Sequence, residues 1–107
     1  MTAITDALDA MFVSAPAIME DLSKAGGYFT SQAFLRRIIH EQQHAYIDLL
    51  VACRHLPMPF DQAHQRIGAR LSHVAPTYGY TADETKQPDE NIFRLETASV
   101  IYRCNRP

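Results

Sequence analysis

No apolar run in this chain approaches the eighteen or so residues that a membrane-spanning helix needs, so no transmembrane segment is expected. Cysteine is sparse: Cys53 and Cys104 stand alone, without CxxC spacing. A small secreted domain usually carries more bridges, so two isolated thiols are read as packed side chains in a reducing cytoplasm. Ala10–Ala17 ends in small residues, as a signal cleavage site would. Asp6 and Asp9 precede it without any Lys or Arg, however, and a secretory signal starts positive; the expected localisation is cytoplasmic. An excess of one charge is also missing. Ten Lys and Arg against twelve Asp and Glu leave a net charge of −2, which argues against a strongly basic nucleic-acid binder and an acidic-tail protein. Internal repeats and low-complexity tracts are absent.

What is present is ordinary globular chemistry. The 107 residues, 47% hydrophobic and 21% charged, make a single domain over 1–107 with no room for a second core. Charge is uneven along it. Residues 1–30 sum to −3, 31–74 to +2 and 75–107 to −1, and all five histidines (His40, His44, His55, His64, His73) lie in the middle stretch.

Ile4, Leu8, Met11 and Ala15 recur at helical spacing and predict a helix over about 3–13. Ser14 is the expected cap of a second helix, about 14–25, with Pro16 tolerated in its first turn and Gly26-Gly27 as its stop. Thr30 or Ser31 caps the longest expected helix, about 31–56. Its apolar arc includes Leu35, Ile38, Tyr46, Leu49 and Cys53, and Pro57-Met58-Pro59 ends it. Asp61 is the expected cap of a fourth helix, about 61–74, with Ala63, Ile67, Leu71 and Val74 inward and Pro76 beyond it. In 77–107 the texture changes. Thr97–Cys104 alternates and is rich in β-branched residues, which predicts a strand paired with Ile92–Leu95. Residues 81–90 read as a polar loop, although Pro88-Asp89-Glu90 is also a helix start. The expected fold class is mainly α: a compact single-domain helical array with a small C-terminal β-hairpin or mixed segment.

One short motif carries chemistry. His40-Glu41-Gln42-Gln43-His44 is an HExxH string. On one helix, positions i and i+4 share a face, so both imidazoles reach one Zn²⁺ while the Glu takes a proton from metal-bound water. Over these five residues the chain resembles the zincin metallopeptidases. That resemblance implies His40 and His44 as ligands and Glu41 as general base, with His64 as a candidate third ligand. The chain departs from the extended family pattern: Ile47 and Leu50 stand where Gly and His would be, and the expected fourth helix contains no Glu. Glu41-x-x-His44 also matches half of a carboxylate-bridged di-metal motif, but only one copy is present.

Other constellations are less complete. Arg54, Arg66 and Arg70 with His64 and His73, followed by a hairpin bearing Arg94, Arg103 and Arg106, outline a winged-helix DNA reader. Ser14, Ser72 and Thr97 have no evident base partner for a triad, and Gly26-Gly27 lacks the Lys-Ser/Thr of a phosphate loop. Ile47 and Val51 put apolar surface on the polar side of the longest helix, which either the C-terminal segment or another chain must cover. Tyr78 and Tyr80, with Phe60, form a candidate aromatic patch.

The leading expectation is therefore a small cytoplasmic regulatory or protein-interaction module. It acts by binding a partner protein or by self-association as a homodimer, through Ile47, Val51, Tyr78 and Tyr80, without cofactor, membrane or nucleic acid. A zinc-dependent metallohydrolase using the HExxH string is the first alternative, and zinc enters only with it. A winged-helix-like DNA-binding regulator is the second.

Overall fold

The N-terminal apolar stripe folds as its spacing demands. In the computed structural model, which describes residues 3–90 and 96–105, helix α1 (Ala3–Met11) buries Ala7, Leu8 and Met11. Residues Phe12–Ser14 tighten into a 3-10 turn before α2 (Ala15–Ser23). Ser14 makes no side-chain capping bond at α2; its hydroxyl instead accepts a hydrogen bond from Gln42 Nε2 at 3.2 Å. The glycine pair ends α2. Gly27 takes φ +77° and returns its N–H to the Ser23 carbonyl at 2.8 Å, a left-handed closure that favours glycine.

A short strand follows, β1 (Tyr28–Thr30), which the sequence had not announced. Thr30 then caps α3 (Ser31–Glu41), its hydroxyl accepting from Ala33 N at 3.2 Å. The helix expected over 31–56 is in fact two helices. Gln42 leaves helical geometry at φ −121°, ψ 53°, and α4 (Gln43–Cys53) starts beyond it. Gln42 serves both halves: its N–H bonds to the Ile38 carbonyl at 2.9 Å, and its own carbonyl accepts the Tyr46 N–H at 2.9 Å. An unbroken helix over 31–56 would run about 39 Å, in a molecule whose longest dimension is 42 Å. The corner lets α3 lie against α2, α5 and the sheet while α4 lies against α1 and α5.

Helix α5 (Pro59–Val74) begins before the expected cap. Its N-cap is Met58, at φ +49°, with Pro59 in the first turn. Asp61 lies within that turn, where a carboxylate meets the positive end of the helix dipole. Its inward side chains Ala63, Ile67 and Leu71 are as predicted. A 3-10 turn, Ala75–Tyr78, leads into β2 (Tyr80–Glu90), and β3 is Glu96–Cys104.

The sheet order is β1-β3-β2, with β3 central and antiparallel to both neighbours. The strand predicted over Thr97–Cys104 is thus present, but its partner is 80–90. The expected partner Ile92–Leu95 lies outside the described residues. Residues 81–90 are an edge strand rather than a loop, and an edge accommodates polar side chains and Pro88 because one row of its backbone groups need not pair. Register slips between Ala82 and Lys86, a bulge of the kind that bends an edge strand. The fold class is as expected: mainly helical, with a small and mostly C-terminal antiparallel sheet.

Helices and sheet meet at an aromatic cluster. Phe29 stacks on Tyr102 at 5.3 Å and meets Tyr80 edge-on at 5.2 Å. The Tyr80 hydroxyl shares a buried hydrogen bond with Ser23 Oγ at 2.9 Å. Ser31 fastens α3 to the sheet by accepting the Val100 N–H at 3.0 Å.

Candidate functional site

The corner at Gln42 decides the fate of the HExxH string. His40 lies in the last turn of α3, Glu41 is its final residue, and His44 lies in the first turn of α4. His40 and His44 therefore do not stand at i and i+4 of one continuous helix, the arrangement from which a shared face was expected. Glu41 is engaged by an ion pair with Arg37. Arg37 in turn bonds Asp21 at 2.5 Å, which holds the Asp21 carboxyl below its ordinary range. Gln43 turns its side-chain amide back to the His40 carbonyl at 3.1 Å, closing the end of α3.

His64 is placed elsewhere, on α5. Its Nε2 is 2.6 Å from the Tyr46 hydroxyl, its ring stacks on Tyr46 at 5.8 Å, and Phe60 meets it edge-on at 4.7 Å. Burial lowers the His64 pKa, and the nearby Asp61 charge opposes that shift only in part. Burial pushes Tyr46 up to about 12. Tyr46 therefore keeps its proton, and its hydroxyl shares a hydrogen bond with His64 Nε2. Among the described residues, no group of three or more His, Cys, Asp or Glu side chains is arranged to hold a metal ion. His40, His44 and His64 are thus not gathered into one ligand set.

The cations of the winged-helix alternative are partly used inside the fold. Arg70 bonds Asp9 at 2.9 Å and lies over the Phe12 ring. Arg103 bonds Asp83 at 2.6 Å and lies over Tyr28. Arg94 and Arg106 lie outside the described residues.

The apolar candidates divide. Tyr80 is 1% exposed and belongs to the core; its ring packs on Phe29 and its hydroxyl on Ser23, so it cannot serve as a surface contact. Tyr78 is exposed, but it follows α5 whereas Phe60 opens it. About 24 Å of helix separates them, so they do not form one patch. Ile47 and Val51 are 56% and 61% exposed, one turn apart on α4. The opposite side of the same helix buries Ala45, Tyr46, Leu49 and Cys53. Leu50, Arg54, Met58, Pro59, Phe60 and Asp61 wall an open hollow of about 350 Å³ at the α4–α5 turn, while Val51 lines a separate hollow with Asp48 and Ala52 against Ala3, Asp6 and Ala10 of α1. Met58 is 69% exposed. Phe60 packs edge-on against both Tyr46 and His64.

Met58 was missed as a surface residue because Pro57-Met58-Pro59 reads only as a helix stop. The left-handed backbone at Met58, which turns the chain from α4 into α5, is not legible in residue types. Compared with protein-family models, with curated proteins and with solved structures, the chain matches none.

Proposed function

We propose that this protein is a protein-interaction module whose contact surface is the outer face of α4 together with the α4–α5 turn. The observation that carries this reading is that α4 is apolar on both sides. A surface helix ordinarily confines its apolar residues to one stripe. Here Ile47 and Val51 add apolar surface outside that stripe and stay more than half exposed, and Leu50 shares a hollow with Met58 and Phe60 at the α4–α5 turn. Burying an Ile or Val side chain is worth about 1.5–3 kcal/mol, so covering this face supplies a driving force for association that the folded monomer leaves unused. Contiguous apolar patches of this kind mark contact sites on soluble proteins. The rim offers Asp48, Arg54 and Asp61 for orientation, and rim charges set specificity and on-rate more than affinity. Cys53, buried, and Cys104, half-buried, form no disulfide, which agrees with a reducing cytoplasm as the working compartment, and no described helix is long and apolar enough to cross a membrane.

The test places a photo-crosslinking amino acid at Met58 and, as a control, at the exposed Glu20 on α2, in cells of the source organism. Protein adducts are expected at position 58 and not at 20, and Ile47→Glu with Val51→Glu should remove them. Equal labelling at both positions, or adducts at 58 indifferent to the double substitution, would overturn the reading.

A further inference from the structure

We infer that the cleft between α3 and α5 binds a small uncharged molecule, apolar apart from one hydrogen-bond donor, which Gln32 Oε1 accepts. A hollow of about 210 Å³ lies between the two helices. Its buried lining is apolar, from Phe34 and Leu35 on α3 and from Ile67 and Leu71 on α5. Gln32, Leu35, His64 and Gln65 also line a second, wider hollow of about 400 Å³, so the two adjoin. Among the described residues, none of α4 lines either one, and the site is separate from the outer face of that helix.

Gln32 sets the polar requirement. Its backbone N–H is taken by Ser99 Oγ at 3.1 Å, which ties this turn of α3 to the sheet. Its side-chain Oε1 is buried and meets no donor among the described residues. A buried acceptor without a donor is destabilising, and the last torsion of glutamine is soft, which lets the amide turn toward a donor in the cleft. His64 is already engaged. Its Nε2 shares a 2.6 Å hydrogen bond with Tyr46, and burial lowers its pKa, so it is uncharged at neutral pH. No Lys, Arg, Asp or Glu is among the described residues of the narrower hollow, and Asp61 lines only the wider one. A formal charge brought between the helices would lose its water and gain no counter-ion, so the ligand is uncharged.

Size and the α5 wall limit the ligand further. An apolar cavity of about 150 Å³ accommodates benzene, so the narrower hollow holds a ring system a few atoms larger. Gly68 lines this hollow from the interior of α5 and is not among the residues of positive φ. A Cβ added there meets nothing within 4 Å. Neither backbone geometry nor a close neighbour requires glycine at this position, and glycine weakens a helix interior. Its missing side chain keeps the wall of the cleft low. A longer side chain at 68 would lean toward the helix N-terminus, over His64 and Gln65, which both hollows share.

Indole, an uncharged bicyclic N–H donor, is the probe. N-methylindole, which keeps the rings and lacks the donor, is its control. Titrating the isotope-labelled full chain with indole to about 5 mM should shift the backbone amides of Gln32, Gln65 and Gly68 and saturate with a Kd on the order of 1 mM, as a ligand this small allows. N-methylindole should bind the wild type at least about tenfold more weakly, since it leaves the buried acceptor unpaired. Gln32→Met keeps the side-chain length and removes the acceptor, so that variant should bind the two probes alike. Gly68→Leu should keep its far-UV spectrum and weaken indole at least about tenfold by steric closure. Four results would each overturn the site: no saturable shift, shifts centred away from the cleft, equal affinity of the wild type for the two probes, or Gly68→Leu binding indole as the wild type does. A Gln32→Met chain that still prefers indole would remove Gln32 as the acceptor and with it the inference. The comparison of the two probes on the wild type needs no variant, so it decides even where a substitution disturbs the fold.

Discussion

Gly68→Ala isolates a single physical contribution in this fold. Gly68 lies in the interior of α5, exposed, and is not among the residues of positive φ. A Cβ added there meets no atom within 4 Å, so no overpacking cost enters and little new burial is gained. What remains is helix propensity. Glycine in a helix interior is about 0.8–1.0 kcal/mol less favourable than alanine, because its unfolded chain has more freedom to lose. The substitution should therefore stabilise the protein by about 0.8 kcal/mol. For a domain of this size, 1 kcal/mol moves Tm by roughly 4–6 °C, which gives a rise of about 3–5 °C. Urea denaturation should show a higher midpoint at unchanged slope, the signature of a stability change without a change in compactness. Gly27→Ala is the paired control. At φ +77°, alanine is strained even though the space around it is open, and stability should fall. A Gly68→Ala protein no more stable than the parent would refute the reasoning, and would mean that α5 is held by something other than regular helical energetics at that turn.

Two further outcomes follow from buried polar pairs. Ser23→Ala leaves the buried Tyr80 hydroxyl without the Ser23 partner it has at 2.9 Å and should cost about 1–3 kcal/mol, whereas adding Tyr80→Phe should recover part of that loss; denaturant midpoints of the two variants check the order. Because burial lowers the His64 pKa below its ordinary 6.5, the unfolded chain binds more protons than the fold just below that pH. Stability should then fall as pH drops through about 6.5 and level off below the folded pKa, and His64→Gln should flatten this part of the pH–stability curve.

The helical stripes were legible because burial repeats at the period of the helix. Ile38, Leu49, Ile67 and Leu71 were expected inward and are fully buried. The end of α2 and the start of α3 were legible for the same local reason: glycine tolerates left-handed backbone, and a threonine hydroxyl reaches the first free N–H groups. Where prediction failed, the cause was distant. Gln42 is a good helix former, and nothing adjacent marks it as a corner. Ser14, far back in the chain, receives its side chain, and α1 and α2 draw the two halves apart. Tyr80 looks like surface in its polar neighbourhood, yet Ser23 satisfies its hydroxyl from another element and lets the ring sink into the core.

Residue order alone settled which side chains are apolar at helical spacing, where the chain must turn, and that α4 carries more hydrophobic surface than one stripe needs, since these depend on neighbours within a few positions. Only the tertiary structure decided that the HExxH string straddles a corner and that Ile47 and Val51 stay more than half exposed. Those outcomes depend on how elements far apart in sequence compete for the same buried space, a competition that no local pattern encodes.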